Sequence, residues 1–201
     1  SYQIKNPMVD VNDQMMAVAD RGGNTIAVFD KTGLRGEMTT TLPIETITVS
    51  EQGIVAAVLK NDFAPEVICY DLAGNILVEH KTSVMSTGYP IDISLAPNGE
   101  LLLVTYLYTQ DNEVTTKVSY FNFGTVGQDK TDHQVVGKEY KGALMPEAFF
   151  VNQDVSVIIG DKQMLIYEGD QIPELKAEIN LKKEVKSVFH DDKYIGLILK
   201  N

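Results

Sequence analysis

Cysteine occurs only once in the 201 residues, at Cys69, so the chain can form neither an intramolecular disulfide nor a cysteine-based zinc site. The thiol lies in the apolar stretch 67–70 and is expected to be a small core residue. No run of about eighteen apolar residues and no signal-peptide pattern occurs, which excludes a membrane-spanning helix from these residues. Basic residues are also few, because the 17 Lys and Arg are outnumbered by 28 Asp and Glu. The formal net charge is therefore -11. Such a charge repels phosphate backbones, so no nucleic acid is expected as a partner.

Residues that commonly carry catalysis are scarce. The three histidines, His80, His133 and His190, fall in different parts of the chain and lack the spacing of metal ligands. Arg21 and Arg35 are the only arginines. No serine lies in a Gly-x-Ser-x-Gly motif, and no glycine-rich loop precedes a helix that would hold phosphate. The sequence therefore predicts no catalytic, cofactor-binding or metal-binding residues and no cofactor.

Apolar residues recur at every second position along most of the chain, as in Ile91, Ile93 and Leu95. This period is typical of β-strands with one buried face. Short turns rich in Gly, Asn and Asp separate the apolar segments and supply the residues that hairpins require. The charged segment 174–183 also alternates, and we therefore predict a strand there instead of a helix.

The alternating segments form a repeat. Pro43, Pro90 and Pro146 begin successive units, and units of about 40 to 50 residues with four strands are typical of β-propeller blades. The expected fold is all-β, a β-propeller of four-stranded antiparallel blades that forms a partial, truncated ring of about four and a half blades. The approximate blades are residues 8–41, 42–84, 85–138, 139–182 and, in part, 183–201, while residues 1–5 form the last strand of a preceding blade.

The lengths of the units predict where strands and insertions lie. In the second unit the expected strands are 44–49, 54–59, 66–70 and 76–80. The third unit is longer, because a polar loop, 108–115, and an extended outer connection, 124–136, are inserted into it. Insertions of this kind are expected at the rim or on one face of a propeller.

Two ways of closing the ring are open. A propeller must bury the faces of its terminal blades and protect its edges. The chain is therefore expected to be part of a larger ring of about seven or eight blades. The alternative is a shortened five-bladed ring in which residues 2–5 pair with the last hairpin.

Several segments resemble one bacterial family over essentially the whole chain. They include Val9-Asp10-Val11-Asn12, Gly88-Tyr89-Pro90-Ile91-Asp92-Ile93, Tyr120-Phe121-Asn122-Phe123-Gly124 and Asp192-Lys193-Tyr194-Ile195-Gly196-Leu197. The family is known as domain of unknown function 5711. The resemblance implies a single N-terminal membrane-spanning helix, absent from this chain, followed by an extracytoplasmic propeller-like domain in Gram-positive anaerobes. It implies no activity and no functional residues.

The first functional hypothesis is a non-enzymatic module that binds a protein, peptide or glycan on the bacterial cell surface. In a propeller, one face collects the connections between blades and the loops between second and third strands, and exposed loops commonly carry binding. The candidate binding residues on this face are Arg21, Asn24, Asp62, Tyr89, Tyr108, Asp111, Glu113, Tyr140 and Glu147.

The alternative hypothesis is a propeller enzyme of the quinoprotein-dehydrogenase-like or lyase type, with an axial pocket for a metal or quinone. Such a site needs histidine, arginine or carboxylate side chains that converge on the axis. The scarcity of arginine weighs against it. A purely scaffolding module beside other membrane components is a third possibility, which only a known partner would separate from the first.

Overall fold

Successive apolar segments pair with one another, so each unit of the repeat folds as a small antiparallel sheet. The computed structural model describes residues 4–110, 112–191 and 193–200. Within these residues the strands form four four-stranded sheets and one two-stranded sheet, and strands adjacent in a sheet are adjacent in sequence. We call the larger sheets blades 1 to 4 and the two-stranded sheet, at 185–199, the terminal hairpin.

The strands have the following bounds. Blade 1 contains β1 (Pro7–Asn12), β2 (Met15–Asp20), β3 (Thr25–Asp30) and β4 (Gly33–Thr39). Blade 2 contains β5 (Ile44–Val49), β6 (Val55–Leu59), β7 (Glu66–Tyr70) and β8 (Ile76–Lys81). Blade 3 contains β9 (Tyr89–Leu95), β10 (Leu101–Gln110), β11 (Glu113–Asn122) and β12 (Gln134–Lys141). Blade 4 contains β13 (Glu147–Phe150), β14 (Val155–Ile159), β15 (Gln163–Glu168) and β16 (Glu174–Asn180), and the terminal hairpin contains β17 (Val185–His190) and β18 (Ile195–Leu199).

The structure confirms the predicted all-β class and the four-stranded antiparallel blades. In blade 2 the strands β5, β7 and β8 begin at the predicted residues, and the charged segment that starts at Glu174 is a strand. Residues 4 and 5 are not part of a strand, and residues 1–3 lie outside the described residues. The larger ring and its five-bladed alternative stay predictions.

Apolar clusters fill the seams between neighbouring blades. Strand β6 shows the arrangement, because Val55, Ala57 and Leu59 pack toward blade 1, whereas Ala56 and Val58 pack toward blade 3. Both of its faces are buried, which explains why this strand is apolar throughout instead of alternating. A third cluster fills the seam between blades 3 and 4 in the same way. Each fully buried aliphatic or aromatic side chain contributes about 1.5–3 kcal/mol, so these seams hold the blades together.

Blade 1 and the terminal hairpin, the first and last units, each have an exposed apolar face. On β1, Val9 and Val11 are 57% and 61% exposed, on the face opposite to Met8, which packs into the first seam. On the terminal hairpin, Phe189 and Ile198 are 63% and 49% exposed. The end units therefore lack the two-sided burial that stabilises blades 2 and 3.

The structure corrects the loop predicted at 108–115. Strand β10 continues to Gln110 and β11 begins at Glu113, so two long strands meet at a tight turn. The segment is rich in Tyr, Thr and Val, and these side chains favour an extended backbone. Asn112 has a φ of 65°, the left-handed conformation that such turns require. The second insertion, 124–136, contains two short 3-10 turns before β12, at Thr125–Gly127 and Thr131–His133.

The outer part of the seam between blades 1 and 2 leaves no room for a side chain at Gly36. A Cβ atom at this position would lie 2.2 Å from the carbonyl oxygen of Leu72 and 3.1 Å from its carbonyl carbon. Leu72 lies in the turn between β7 and β8. The backbone of β4 therefore approaches this turn directly, and a glycine is needed at the point of approach.

Candidate functional site

The first strand of each blade and of the terminal hairpin borders one axial cavity. Residues of β1, β5, β9, β13 and β17 line it, and its volume is about 590 Å³. Its described lining contains no lysine or arginine. The ionisable residues in the lining are Asp10, Asp13, Asp92, Glu147, His190 and Asp191.

Polar side chains of one blade cap the inner backbone edge of the next. An innermost strand has one edge without a neighbouring strand, and its N–H groups need other acceptors. In three seams the acceptor is a side chain at the same position of the preceding first strand. The bonds run from Val49 N to Asp10 Oδ2 (2.7 Å), from Leu95 N to Thr48 Oγ1 (3.1 Å) and from Phe150 N to Ser94 Oγ (3.1 Å). This repeated cap explains why polar residues stand in strands that are otherwise apolar.

Further hydrogen bonds join these caps across the cavity wall. Asp92 Oδ2 of blade 3 accepts from Ala148 N of blade 4 at 2.8 Å. The Thr48 hydroxyl, which accepts from Leu95 N, donates in turn to the Asp10 carboxylate. A chain of hydrogen bonds thus runs from blade 3 through blade 2 to the carboxylate of Asp10 in blade 1. The separate bond from blade 4 holds the carboxylate of Asp92.

Thr48→Val is expected to destabilise the protein by about 1–2 kcal/mol. Valine keeps the shape of the buried side chain but removes the acceptor for Leu95 N and the donor to Asp10. Urea denaturation measures the free energy of unfolding, and amide exchange at Leu95 should be faster in the variant. Thr39→Val, at an exposed position of β4, is the control and should change stability by less than about 0.5 kcal/mol. Unchanged exchange at Leu95 would contradict the capping role.

The seam between blade 4 and the terminal hairpin is built differently. The capping position of β13 is occupied by Phe149, whose ring stacks on the imidazole of His190, with centroids 3.8 Å apart and planes inclined by 3°. A ring contact therefore takes the place of the hydrogen bond found in the other seams. Val185 N donates to the carbonyl of Asp161 at 2.8 Å and attaches the start of β17 to blade 4. These contacts place His190 on the cavity wall.

Burial shifts the ionisation of the groups around the cavity. It raises the pKa of Asp92 to about 7, and the negative charges of Glu147 and Asp10 raise this pKa further, against the effect of the two N–H groups that Asp92 accepts from. Burial also raises the pKa of Asp10. The pKa of His190 is lowered by burial, although the nearby carboxylates oppose this shift. At neutral pH the imidazole is therefore uncharged, and the cavity keeps a net negative charge.

One end of the axial cavity lies at the turns that join first and second strands. Asp13, Pro97 and Val151 lie at this end, and they also line a second cavity of about 550 Å³. We call this side, with the turns at 13–14, 51–54, 97–100 and 151–154, the turn face. The opposite side is the connector face, with the turns and connections at 21–24, 60–65, 82–88 and 142–146.

Most residues that the sequence predicts for binding lie at the connector face. Glu147 follows the connection into blade 4 and also lines the axial cavity. Tyr140 is only 9% exposed, and its hydroxyl lies 2.6 Å from that of Tyr167 in the seam between blades 3 and 4, which corrects the prediction of a surface contact there. Asp111 lies outside the described residues. In turns or near strand ends at this face lie Arg21, Asn24, Asp62, Tyr89, Tyr108 and Glu113.

Sequence reasoning missed the group that the fold brings together, which is Asp10, Asp92 and His190. In the sequence His190 is an isolated side chain, and neither aspartate belongs to a recognised motif. A signal was present, because Asp10, Thr48 and Ser94 are polar residues at equivalent positions of three first strands. Read as a set, they would have indicated a polar axial lining.

The side chains of the lining can form hydrogen bonds and ionic interactions. They include carboxylates, hydroxyls and one imidazole, which suit a polar or cationic group. Among the described residues, no group of three or more His, Cys, Asp or Glu side chains is arranged to hold a metal ion. The part of the chain that the structure describes also contains no helix of the length and apolarity needed to cross a membrane.

Solved structures similar to this chain include propeller proteins of different kinds. Hydrazine synthase of Kuenenia stuttgartiensis is 14% identical with a TM-score of 0.59, over 93% of this chain and 68% of that one. Hsv2 of Kluyveromyces lactis is 11% identical with a TM-score of 0.57, over 86% and 62%. Sqt1 of Chaetomium thermophilum, solved bound to the N-terminus of ribosomal protein L10, is 12% identical with a TM-score of 0.57, over 94% and 55%. The chain thus spans less than two thirds of the last two, and at these identities the similarity shows the fold alone.

Sequence comparison identifies a family without a described activity. No curated protein matches the chain. The model described as "Family of unknown function (DUF5711)" matches residues 1–201. The chain therefore belongs to the DUF5711 family, as its resemblance predicts.

Proposed function

We propose that this protein is a non-enzymatic binding module whose axial cavity takes up a cationic group of a peptide or protein partner. The charge of the lining carries the proposal, since five acidic residues and no lysine or arginine line the described cavity. Carboxylates in a partly enclosed space attract an ammonium or guanidinium group more strongly than they do on an open surface, because the effective dielectric constant is lower. An anionic ligand is repelled for the same reason.

The size and shape of the cavity suit such a group. A volume of about 590 Å³ lies within the range of about 300–1,000 Å³ that is usual for ligand pockets. The stacked rings of Phe149 and His190 form part of the cavity wall. The methylene groups of a lysine side chain can pack against this wall while the ammonium group reaches the carboxylates.

The similar structures support a protein or peptide as the partner. Sqt1 was solved with the N-terminus of a ribosomal protein, and a further similar structure is the complex of KlAtg21 with the coiled-coil of AgAtg16, with a TM-score of 0.62 at 13% identity. Both are propeller-like chains in contact with a segment of another protein. We infer the same kind of partner for the present chain, with a glycan as the alternative.

The connector face would give a larger partner a second contact surface. Phe63 and Met85 are 84% and 96% exposed on this face, and Val84 N donates to the carbonyl of Phe63 at 3.2 Å, so their loops adjoin. Exposed apolar side chains of this size are typical of interaction surfaces. This observation supports a second contact at the predicted face, which includes Arg21 and Asp62.

A propeller enzyme with an axial pocket is the second candidate. The observation in its favour is the charge coupling of His190 to Asp10 and Glu147 at the cavity wall, since clustered groups with shifted pKa values are typical of active sites. Metal analysis and an absorbance spectrum of the purified protein separate the two candidates. Stoichiometric metal or a quinone band would favour the enzyme.

We also propose the extracytoplasmic, membrane-anchored placement that the family resemblance implies, on the surface of a Gram-positive cell. Protease treatment of intact cells tests it. Digestion of the protein would support the placement, and full protection would contradict it.

The proposed ligand class is tested by an NMR titration with a short lysine peptide, acetyl-Gly-Lys-Gly-Lys-Gly-amide. The control peptide carries glutamate in place of both lysines. We expect the amide signals of Asp10, Asp92 and Glu147 to shift with the lysine peptide alone. An equal response to both peptides, or shifts confined to 21–24 and 60–65, would contradict binding in the axial cavity.

A further inference from the structure

We propose that the axial cavity is proton-linked, so that the exchange of a proton between Asp92 and solvent sets how strongly the cavity holds a cation. The inference rests on the proposed function, because it concerns the regulation of the same cavity.

The surroundings of Asp92 combine two backbone N–H donors, which favour the ionised carboxylate, with burial and an acidic lining, which favour a bound proton. The carboxylate is half-buried on β9, where Oδ2 accepts from Ala148 N at 2.8 Å and Oδ1 accepts from Ile93 N at 3.0 Å. The described lining offers it no cationic side chain. Thr105 lies opposite Asp92 on β10, and its buried hydroxyl has no hydrogen-bond partner among the described residues. This hydroxyl can donate to a carboxylate or accept from a carboxylic acid.

The groups that face Asp92 from the other first strands are mostly acidic. Strand β1 contributes Asp10, followed by Asp13 in the next turn, and β13 contributes Glu147. Strand β17 contributes His190, followed by Asp191, whereas β5 contributes no titratable group to the lining. Ionisation of Asp92 therefore adds a negative charge to a space that is already negative, which is unfavourable unless a cation enters.

The pKa shifts of Asp92 and His190 follow from this geometry. Burial raises the pKa of Asp92 to about 7, whereas burial lowers the pKa of His190. Asp92 therefore loses its proton at a higher pH than His190 does. The cavity gains about one negative charge between about pH 6 and pH 8, and no group of the lining compensates for it.

The first experiment uses the protein without any ligand. A ¹³C NMR titration of the carboxyl groups should show a midpoint near pH 7 that is absent from Asp92→Asn. Since the pKa of Asp92 is raised in the folded state, its contribution to stability is complete below about pH 4 and is lost as the pH rises through 7. The unfolding constant of Asp92→Asn relative to wild type should therefore fall at least about tenfold between pH 5 and pH 8. A midpoint below pH 5 would overturn the inference.

The second experiment measures binding of tetralysine by calorimetry from pH 5.5 to 8.5. We expect affinity to rise about fivefold in wild type and to stay flat in Asp92→Asn. Asp170→Asn, an exposed position in the loop before β16, is the matched control and should behave as wild type. Constant affinity in wild type would overturn the proton linkage. Absence of binding at every pH, together with a carboxyl midpoint near pH 7, would instead overturn the proposed function.

Discussion

Glu147→Lys is expected to weaken the binding of tetralysine at least about tenfold, a loss of about 1.4 kcal/mol or more in binding free energy. Glu147 is exposed at the start of β13 and lines the axial cavity, so the substitution reverses one charge at the proposed site without disturbing the seams. The new ammonium group would lie near Asp92 and Asp10, where we propose that the ligand places its own cation. Calorimetry at pH 8, where Asp92 is ionised, gives the largest signal.

The matched control for this prediction is Glu174→Lys. Glu174 is exposed at the start of β16, the outermost strand of blade 4, and its substitution changes the net charge of the protein by the same amount. Long-range attraction is screened beyond about 8–10 Å at physiological salt, so the control should lose less than about twofold. An equal loss in both variants would show that tetralysine responds to total charge and not to the axial cavity.

Gly36→Ala is expected to destabilise the protein by about 3 kcal/mol, the largest effect on stability that we predict. The added Cβ would lie 2.2 Å from the Leu72 carbonyl oxygen, and both atoms belong to backbone or are fixed to it, so neither can rotate away. Relief requires that β4 and the turn after β7 move apart. This movement would open the seam in which Met38 and Tyr70 are buried.

The free energy of unfolding in urea measures this effect, and Thr39→Ala provides the control. Thr39 lies in the same strand and is exposed, so its truncation should cost less than about 0.5 kcal/mol. If Gly36→Ala were as stable as Thr39→Ala, the close approach of β4 to the turn of blade 2 would be wrong. Weaker protection of the Tyr70 amide in hydrogen exchange would place the damage in this seam.

The strands of the blades were predictable because burial imposes a period of two on the sequence. Strands β5 and β7 begin and end at the predicted residues, and the alternation after Glu174 outweighed its helix-forming lysines and glutamates. Prediction failed where a polar segment is not a loop or where a side chain with a polar group is not exposed. The segment at 108–115 is polar but extended, since Thr and Tyr favour strands, and Tyr140 satisfies its hydroxyl within a seam.

The candidate site was less predictable than the fold for a geometric reason. Asp10 and His190 belong to the first and last units of the chain, and only the radial arrangement of the blades brings them to one cavity. Alternation within a strand tells which side a residue faces, but it does not tell which strands of distant units share a space. Asp92 illustrates this, because its polarity predicts a solvent-exposed side chain, whereas the fold places it half-buried in the cavity lining.

The side-chain caps between blades give the molecule a direction of assembly. In each of the first three seams the acceptor precedes its donor in the chain, as Thr48 precedes Leu95. The acceptor is therefore synthesised first. A nascent blade therefore docks onto a surface that is already prepared for it, and folding can advance from the amino to the carboxyl terminus one blade at a time. Phe149 interrupts this series, and the terminal hairpin docks instead by stacking of its His190 on Phe149.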